Sequence, residues 1–388
     1  MNRTPGIGLH VRQIPSESSA TLPYGIRKGL PVIREQHDRQ LLTYETPASS
    51  EQRKKKKSPG TSILDFAYLP CMLRSLVLFI SMLVTASVMF GAGQQVESGK
   101  SDGVILTQKP CALGPYEEQS AFTKRFYSRG EYESARSSPS ADCFRIVYSS
   151  DGLGVVGYLV RPRGEPRRRY PIIIYNRGGF LDLGKIDSWN IVDFEHLSAE
   201  GFVVLASQYR GNDGGEGHEE LGGADLDDVT NLFRVAGTLP YVDMRNIFMY
   251  GLSRGGMMTF LEMKRGPAVN AAVVVGAVYD LAAFQQRSPA IVGKATELIP
   301  DYPSKKASAL QERSVMNWPE KVNAPLMILH GGDDDEVPAT EALAFATKLS
   351  NLKKPYELVV YANDVHEVAN NRRDRDARVI AWFKRYIR

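Results

Sequence analysis

Short apolar runs alternate with helix-compatible stretches along the C-terminal part of the chain, and this alternation sets the fold class before any single residue is considered. Runs of strand length lie at Phe144 to Tyr148, Gly154 to Val160, Pro171 to Tyr175, Phe202 to Gln208, Ile247 to Gly251, Ala271 to Ala277, Pro325 to His330 and Glu357 to Tyr361. Several of them, PIIIY and AAVVVGA among them, are apolar at consecutive positions. Strands covered by helices on both faces look that way, whereas half-exposed strands alternate. Between the runs, stretches such as Leu221 to Leu239 and Thr340 to Leu352 predict helices. The first two runs are joined through the turn pair Asp151-Gly152 and predict a hairpin at the sheet edge. The pattern as a whole predicts an α/β fold with a mostly parallel eight-stranded sheet, helices on both faces, and a short cap over Asp280 to Glu320.

About 245 residues, from Cys143 to Arg388, suffice for such a domain. The rest of the 388-residue chain lies N-terminal to it. Residues 1–71 are rich in Ser, Pro, Thr and basic side chains, include the run Arg53 to Lys57, and hold little periodic apolar pattern, the composition of a disordered leader. Residues 1–66 carry eleven Lys and Arg against six Asp and Glu, so the whole-chain charge of +4 leaves the remainder slightly negative. The basic balance therefore belongs to the leader, and the C-terminal body carries no nucleic-acid signature.

Residues 72–93 change the picture again. Leu76 to Phe90 (LVLFISMLVTASVMF) follows Arg74 and precedes Gly91-Ala92-Gly93, which fits the hydrophobic region and small-residue cleavage zone of a signal peptide. Met72 makes a more ordinary signal-peptide start than Met1, in which case residues 1–71 are an over-extended reading. If the segment is retained, its basic flank keeps the N-terminus in the cytoplasm and places the body outside, so any membrane contact would run through this one uncleaved segment. Either way export to a periplasmic or extracellular space is expected. Removal of the leader would leave Cys111, in the extension over 94–142, and Cys143: a pair able to bridge in an oxidising compartment, or two unpaired thiols.

The candidate chemistry begins where an apolar run ends in Gly251-Leu252-Ser253-Arg254-Gly255-Gly256 and passes into a helical stretch. This is the pattern of a nucleophile elbow, a strained strand-to-helix turn that exposes a serine hydroxyl and leaves room only for small neighbours. The amide of Arg254, at the helix N-terminus, would face an oxyanion formed at Ser253. A serine hydroxyl needs a neighbouring imidazole to take its proton, and the imidazole needs an acid to fix its tautomer. Both follow downstream in the order serine, acid, histidine. The run ending at His330 leads into Gly331-Gly332-Asp333-Asp334-Asp335-Glu336-Val337-Pro338, and the next run leads to His366. His330 precedes the acid and reads as a structural hydrogen-bonding residue. His196 fits a packed helix face, and His218 sits in a glycine-rich loop. No HExxH or CxxC pattern is present, so neither a metal nor a cofactor is expected.

From about Cys143 to Arg388 the chain resembles the catalytic domain of the prolyl oligopeptidase family, within the α/β-hydrolase superfamily. The likeness is carried by YNRGGF at Tyr175 to Phe180, QYRGNDGGEG at Gln208 to Gly217, GGADLDDV at Gly222 to Val229, YVDMRNIFMYGLSRGGMMT, LHGGDDDEVP and His366. The resemblance implies that the acid falls in an Asp-x-x-Val-Pro frame, which lands on Asp334, with Asp333 and Asp335 as alternatives. It also implies a second oxyanion donor in the loop Asn176 to Gly179. Arg177 stands where many members carry a tyrosine or a His-Gly-Gly, so a backbone amide of Arg177 or Gly178 takes that place.

Only about 50 residues separate the cleavage zone from Cys143, too few for a propeller built from blades of roughly 40 to 45 residues each. The size-filtering and proline preference of some relatives are therefore not carried over. The expected enzyme is an exported serine hydrolase working through an acyl-enzyme on peptide or amide bonds. Small acyl esters are the alternative, and a catalytically inactive, membrane-tethered binding protein is the alternative from another class.

Overall fold

Successive residues of a strand point to opposite faces, and an uninterrupted apolar strand can be stable only if both faces are covered. The computed structural model, which describes residues 101–137, 141–164 and 168–388, shows this arrangement. The leader over 1–71 and the apolar segment over 72–93 lie outside the described residues. In chain order the elements begin with strand β1 (Ile105–Pro110), helices α1 (Ala121–Phe126) and α2 (Arg129–Ser137), strands β2 (Ala141–Ser150), β3 (Leu153–Pro162) and β4 (Tyr170–Asn176), helix α3 (Ser188–Ala199) and β5 (Val203–Ser207). They continue with α4 (Asp225–Thr238), β6 (Val242–Leu252), α5 (Arg254–Arg265), β7 (Ala271–Val275), α6 (Leu281–Arg287), α7 (Pro289–Leu298), α8 (Tyr302–Arg313), β8 (Leu326–Gly331), α9 (Ala339–Asn351), β9 (Tyr356–Tyr361) and α10 (Arg372–Arg385).

The strands form one sheet in the order β1-β2-β3-β5-β4-β6-β7-β8-β9. From β5 to β9 every neighbouring pair is parallel, and the three pairings at the other end are antiparallel. Ile172, Ile174, Met249 and Val274 face a core closed by α4, α5, α6, α7, α8 and α9, whereas Ile173, Tyr175, Phe248, Tyr250 and Val275 face one closed by α3 and α10. The hairpin between β2 and β3 turns on Asp151 and Gly152, both at positive φ (52° and 77°), the conformation that matches strand twist in a two-residue loop.

Among the described residues the sheet has nine strands, not the eight expected. The additional strand, β1, comes from the extension before residue 143 and pairs along β2. It is an edge strand with four of its six residues exposed, so it carries no core pattern by which to recognise it. Its end is fastened by a disulfide between Cys111 and Cys143, with Cα atoms 5.3 Å apart.

The extension also docks on the far side of the sheet. Phe126 stacks on Trp189 of α3 with ring centroids 4.7 Å apart, and the Tyr127 hydroxyl bonds to Asp193. Arg372, in the first turn of α10, donates to the Phe126 carbonyl (3.0 Å) and to Glu131 (2.8 Å) with its guanidinium over the Tyr127 ring. Among the described residues no helix is long and apolar enough to cross a membrane.

Candidate active site

β6, β8 and β9 are parallel, so the loops that follow them open at one rim of the sheet, where open α/β sheets place their sites. Ser253, between β6 and α5, has φ 56° and ψ −123°, a backbone conformation that costs a non-glycine residue about 1–3 kcal/mol. The surrounding structure imposes it. A Cβ on Gly255 would lie 1.9 Å from the Asn176 carbonyl oxygen, and one on Gly251 would lie 2.3 Å from that of Gly255. β4, β6 and α5 thus touch through bare backbone. Thr259 ties the contact by donating to the Gly255 carbonyl (2.8 Å) and accepting from Asn176 Nδ2 (2.9 Å). Ser253 remains partly exposed while its neighbours on both sides are buried.

The structure selects among the three aspartates that follow β8. Asp334 is buried and Asp333 and Asp335 are exposed, and Asp334 Oδ2 lies 2.8 Å from His366 Nδ1. Its other oxygen accepts the amides of Glu336 (3.0 Å) and Val337 (2.8 Å). His330 adds a further donor. Its Nε2 lies 2.7 Å from the Val337 carbonyl, which can only accept, so that nitrogen carries the proton and also reaches Asp334 Oδ2 at 3.2 Å. Burial would raise the Asp334 pKa, but the hydrogen bonds from His330, His366 and Val337 outweigh it and hold the carboxyl well below the usual carboxylate range.

His366 is buried and shows the opposite balance. Burial favours the neutral ring, yet the hydrogen bond and charge of Asp334, followed by the charges of Glu336 and Glu367, raise its pKa above the ordinary 6.5. Its Nε2 is buried with no hydrogen-bond partner among the described residues, 3.7 Å from the half-exposed carboxylate of Glu336. Gly276 separates ring and elbow. A Cβ there would lie 3.1 Å from His366 Nδ1, and the preceding carbonyl, of Val275, accepts the Ser253 amide at 2.9 Å. His366 and Ser253 are therefore packed against the same turn, with the imidazole hydrogen-bonded to Asp334.

Opposite the elbow, the Gly178 α-carbon packs on Ser253, where an added Cβ would be 3.1 Å from the serine Cβ. The Arg177 side chain points the other way, is buried, and binds backbone carbonyls, so its guanidinium does not face Ser253. Arg254 likewise buries its side chain and leaves only its backbone at the elbow. The other two described histidines stand apart from this group. His196 packs its ring 5.8 Å from that of Tyr127, and His218 is exposed.

Two organising residues were not singled out from sequence. Asp364 is buried and accepts from the amides of Val365, Asn370 and Asn371, which ties the His366 loop to the start of α10. Glu219 is buried behind the Arg177 loop. In sequence each is one acid among several, and only its burial separates it from solvated neighbours.

The profile of the prolyl oligopeptidase family matches residues 188–388, more than half of the chain. The chain belongs to this family of serine peptidases. The uncharacterized peptidase YtmA of Bacillus subtilis is 32% identical over 243 residues, 62% of this chain and 93% of that protein. The uncharacterized peptidase YuxL of the same organism is 27% identical over 257 residues, 62% of this chain but only 39% of its own length. Among solved structures, Pyrococcus horikoshii acylaminoacyl peptidase superposes with a TM-score of 0.57 at 19% identity, covering 65% of this chain and 43% of that one. The last likeness carries the α/β-hydrolase fold alone. A prolyl oligopeptidase-family enzyme with this elbow has no space for larger residues at its crossing. Gly255→Ala is expected to lower stability by about 3 kcal/mol or more, read as a lowered denaturant midpoint or as loss of soluble protein.

Proposed function

We propose that this serine peptidase cleaves peptide or amide bonds through an acyl-enzyme, with Ser253 as nucleophile, His366 as general base and Asp334 as the orienting acid. The observation that carries the reading is the buried His366–Asp334 hydrogen bond beside a serine held at positive φ. His366 Nε2 takes the Ser253 proton as Oγ bonds to the carbonyl carbon, and the carbonyl π pair moves to oxygen. The amide of Arg254 and one from Arg177 or Gly178 receive that oxyanion. The imidazolium then protonates the leaving amine as the C–N bond breaks, leaving an ester on Ser253. Water, deprotonated by the same imidazole, releases the acid and restores the hydroxyl.

Peptide substrates are favoured over esters because the chain spans 93% of a relative named as a peptidase. A fluorophosphonate probe should label the wild type and not Ser253→Ala; equal labelling would defeat the reading. In a paired assay the wild type should cleave aminoacyl amides as well as short acyl esters. Ester turnover with no amide cleavage would replace the peptidase with an esterase.

The reaction needs the neutral imidazole, so kcat/KM should fall as the pH drops through the raised pKa of His366, with the midpoint above 6.5. Glu336→Gln removes one of the charges that raise it and should move this acidic limb to lower pH by a few tenths of a unit, as fits a half-exposed, solvent-screened carboxylate. A limb that stays in place would show that Glu336 does not act on His366.

Export is part of the same proposal, supported by the Cys111–Cys143 disulfide, a bond that persists in oxidising compartments. Protein recovered from the native host should begin after the segment over 72–93, or carry it in the membrane fraction. Its two remaining cysteines should resist alkylation until reduced. Reduced thiols in freshly isolated protein would count against export.

A further inference from the structure

The loop after β4 is held by a buried cluster of charges that the hydrolytic scheme does not use. Arg177, the first residue of that loop, folds its guanidinium back beneath it, with Nε on the Gln208 carbonyl (3.1 Å), Nη1 on those of Gly178 (3.0 Å) and Leu183 (3.2 Å), and Nη2 on that of Leu181 (3.0 Å). Arg254 Nη1 adds the Gly179 carbonyl at 3.0 Å. The Arg177 carbonyl accepts the Tyr209 hydroxyl at 3.2 Å, and both guanidiniums lie over the Tyr209 ring. Carbonyls 177, 178 and 179 are thus all claimed by donors on the buried side. In a planar trans peptide the N–H points opposite to the preceding C=O, so the amides of Gly178, Gly179 and Phe180 turn to the other side.

Glu219 joins the two arginines. One of its oxygens pairs with Arg254, and the other accepts from Asn212 (2.6 Å) and the Leu181 amide (3.1 Å) and lies 3.5 Å from Arg177 Nη2. Its side chain is fully buried, as is that of Asp225, the second partner of Arg254. Two buried cations are matched by two buried carboxylates. Removing either carboxylate leaves a guanidinium uncompensated, which would reorganise the carbonyls it holds.

We propose that Glu219 is a positioning residue of the reaction. Through Arg177 and Arg254 it keeps the carbonyls of the Gly178–Leu183 loop turned inward and so presents the amides of Gly178 and Gly179 to the oxyanion. This rests on Ser253 as the nucleophile, and it extends the second donor from Arg177 or Gly178 to the neighbouring Gly179 amide. Glu219 touches no substrate. Its effect falls on stabilisation of the tetrahedral oxygen and not on ground-state binding.

The test compares wild type, Glu219→Gln and Arg177→Lys, which keeps the charge and loses the planar fork. Each is measured for kcat and KM on an aminoacyl amide, for the Ki of a peptide aldehyde whose adduct carries the tetrahedral oxygen, and for thermal unfolding. Positioning predicts that kcat of Glu219→Gln falls about 100-fold, KM stays within about threefold, and the aldehyde Ki rises in step with the loss in kcat. Arg177→Lys follows the same pattern and carries the test if Glu219→Gln does not fold. A folded variant with a lower unfolding temperature but kcat and aldehyde Ki within about twofold of wild type would overturn the proposal and leave Glu219 a structural residue. Failure of the nucleophile assignment is visible independently, in the wild type, as fluorophosphonate labelling that does not depend on Ser253.

Discussion

The site depends on one crowded crossing, where β4, β6 and the first turn of α5 meet through backbone alone. Gly251 and Gly255 leave no side chain between them, and the Asn176 carbonyl occupies the space that any larger residue at 255 would need. That contact forces Ser253 into its positive-φ conformation and sets it beside Gly178. The parallel sheet on either side is the brace that sustains the strain, since both of its faces are packed with apolar side chains.

Charge is distributed around this crossing in two layers with different tasks. On the acid side, Asp334 collects two ring donors and two amides, so it stays ionised at neutral pH and fixes the His366 tautomer. On the opposite side, arginines and carboxylates bury one another and act on backbone carbonyls. The first layer holds the His366 ring, and the second holds the carbonyls of the loop after β4. Both use charges withdrawn from water, where their fields are least screened.

Much of this was legible in the sequence because it rests on local rules. Continuous apolar runs marked the covered strands, and Gly-x-Ser-x-Gly between a strand and a helix marked the elbow. The family resemblance put the acid on Asp334 with Asp333 and Asp335 as alternatives, and the structure brings Asp334 to His366 while the other two stay in solvent. What escaped depends on distant contacts. β1 is an exposed, polar edge whose only strong specification is its pairing with β2. Glu219 sits beside Glu220 in a glycine-rich loop, and nothing local distinguishes the acid that meets two arginines 35 and 42 residues away. Asp364 is recognisable only once the amides of residues 365, 370 and 371 are seen to converge on it.

The docking of α1 and α2 joins distant parts of the chain. Arg372 reaches back some 240 positions to Phe126 and Glu131, and it opens the helix that follows the His366 loop. The aromatic cluster around Phe126 and Tyr127 is therefore covered from two sides, by Trp189 and Asp193 of α3 and by Arg372. Asp364, two residues before His366, accepts the Asn371 amide beside Arg372, so the histidine loop and the anchor of the N-terminal helices share one short stretch of chain.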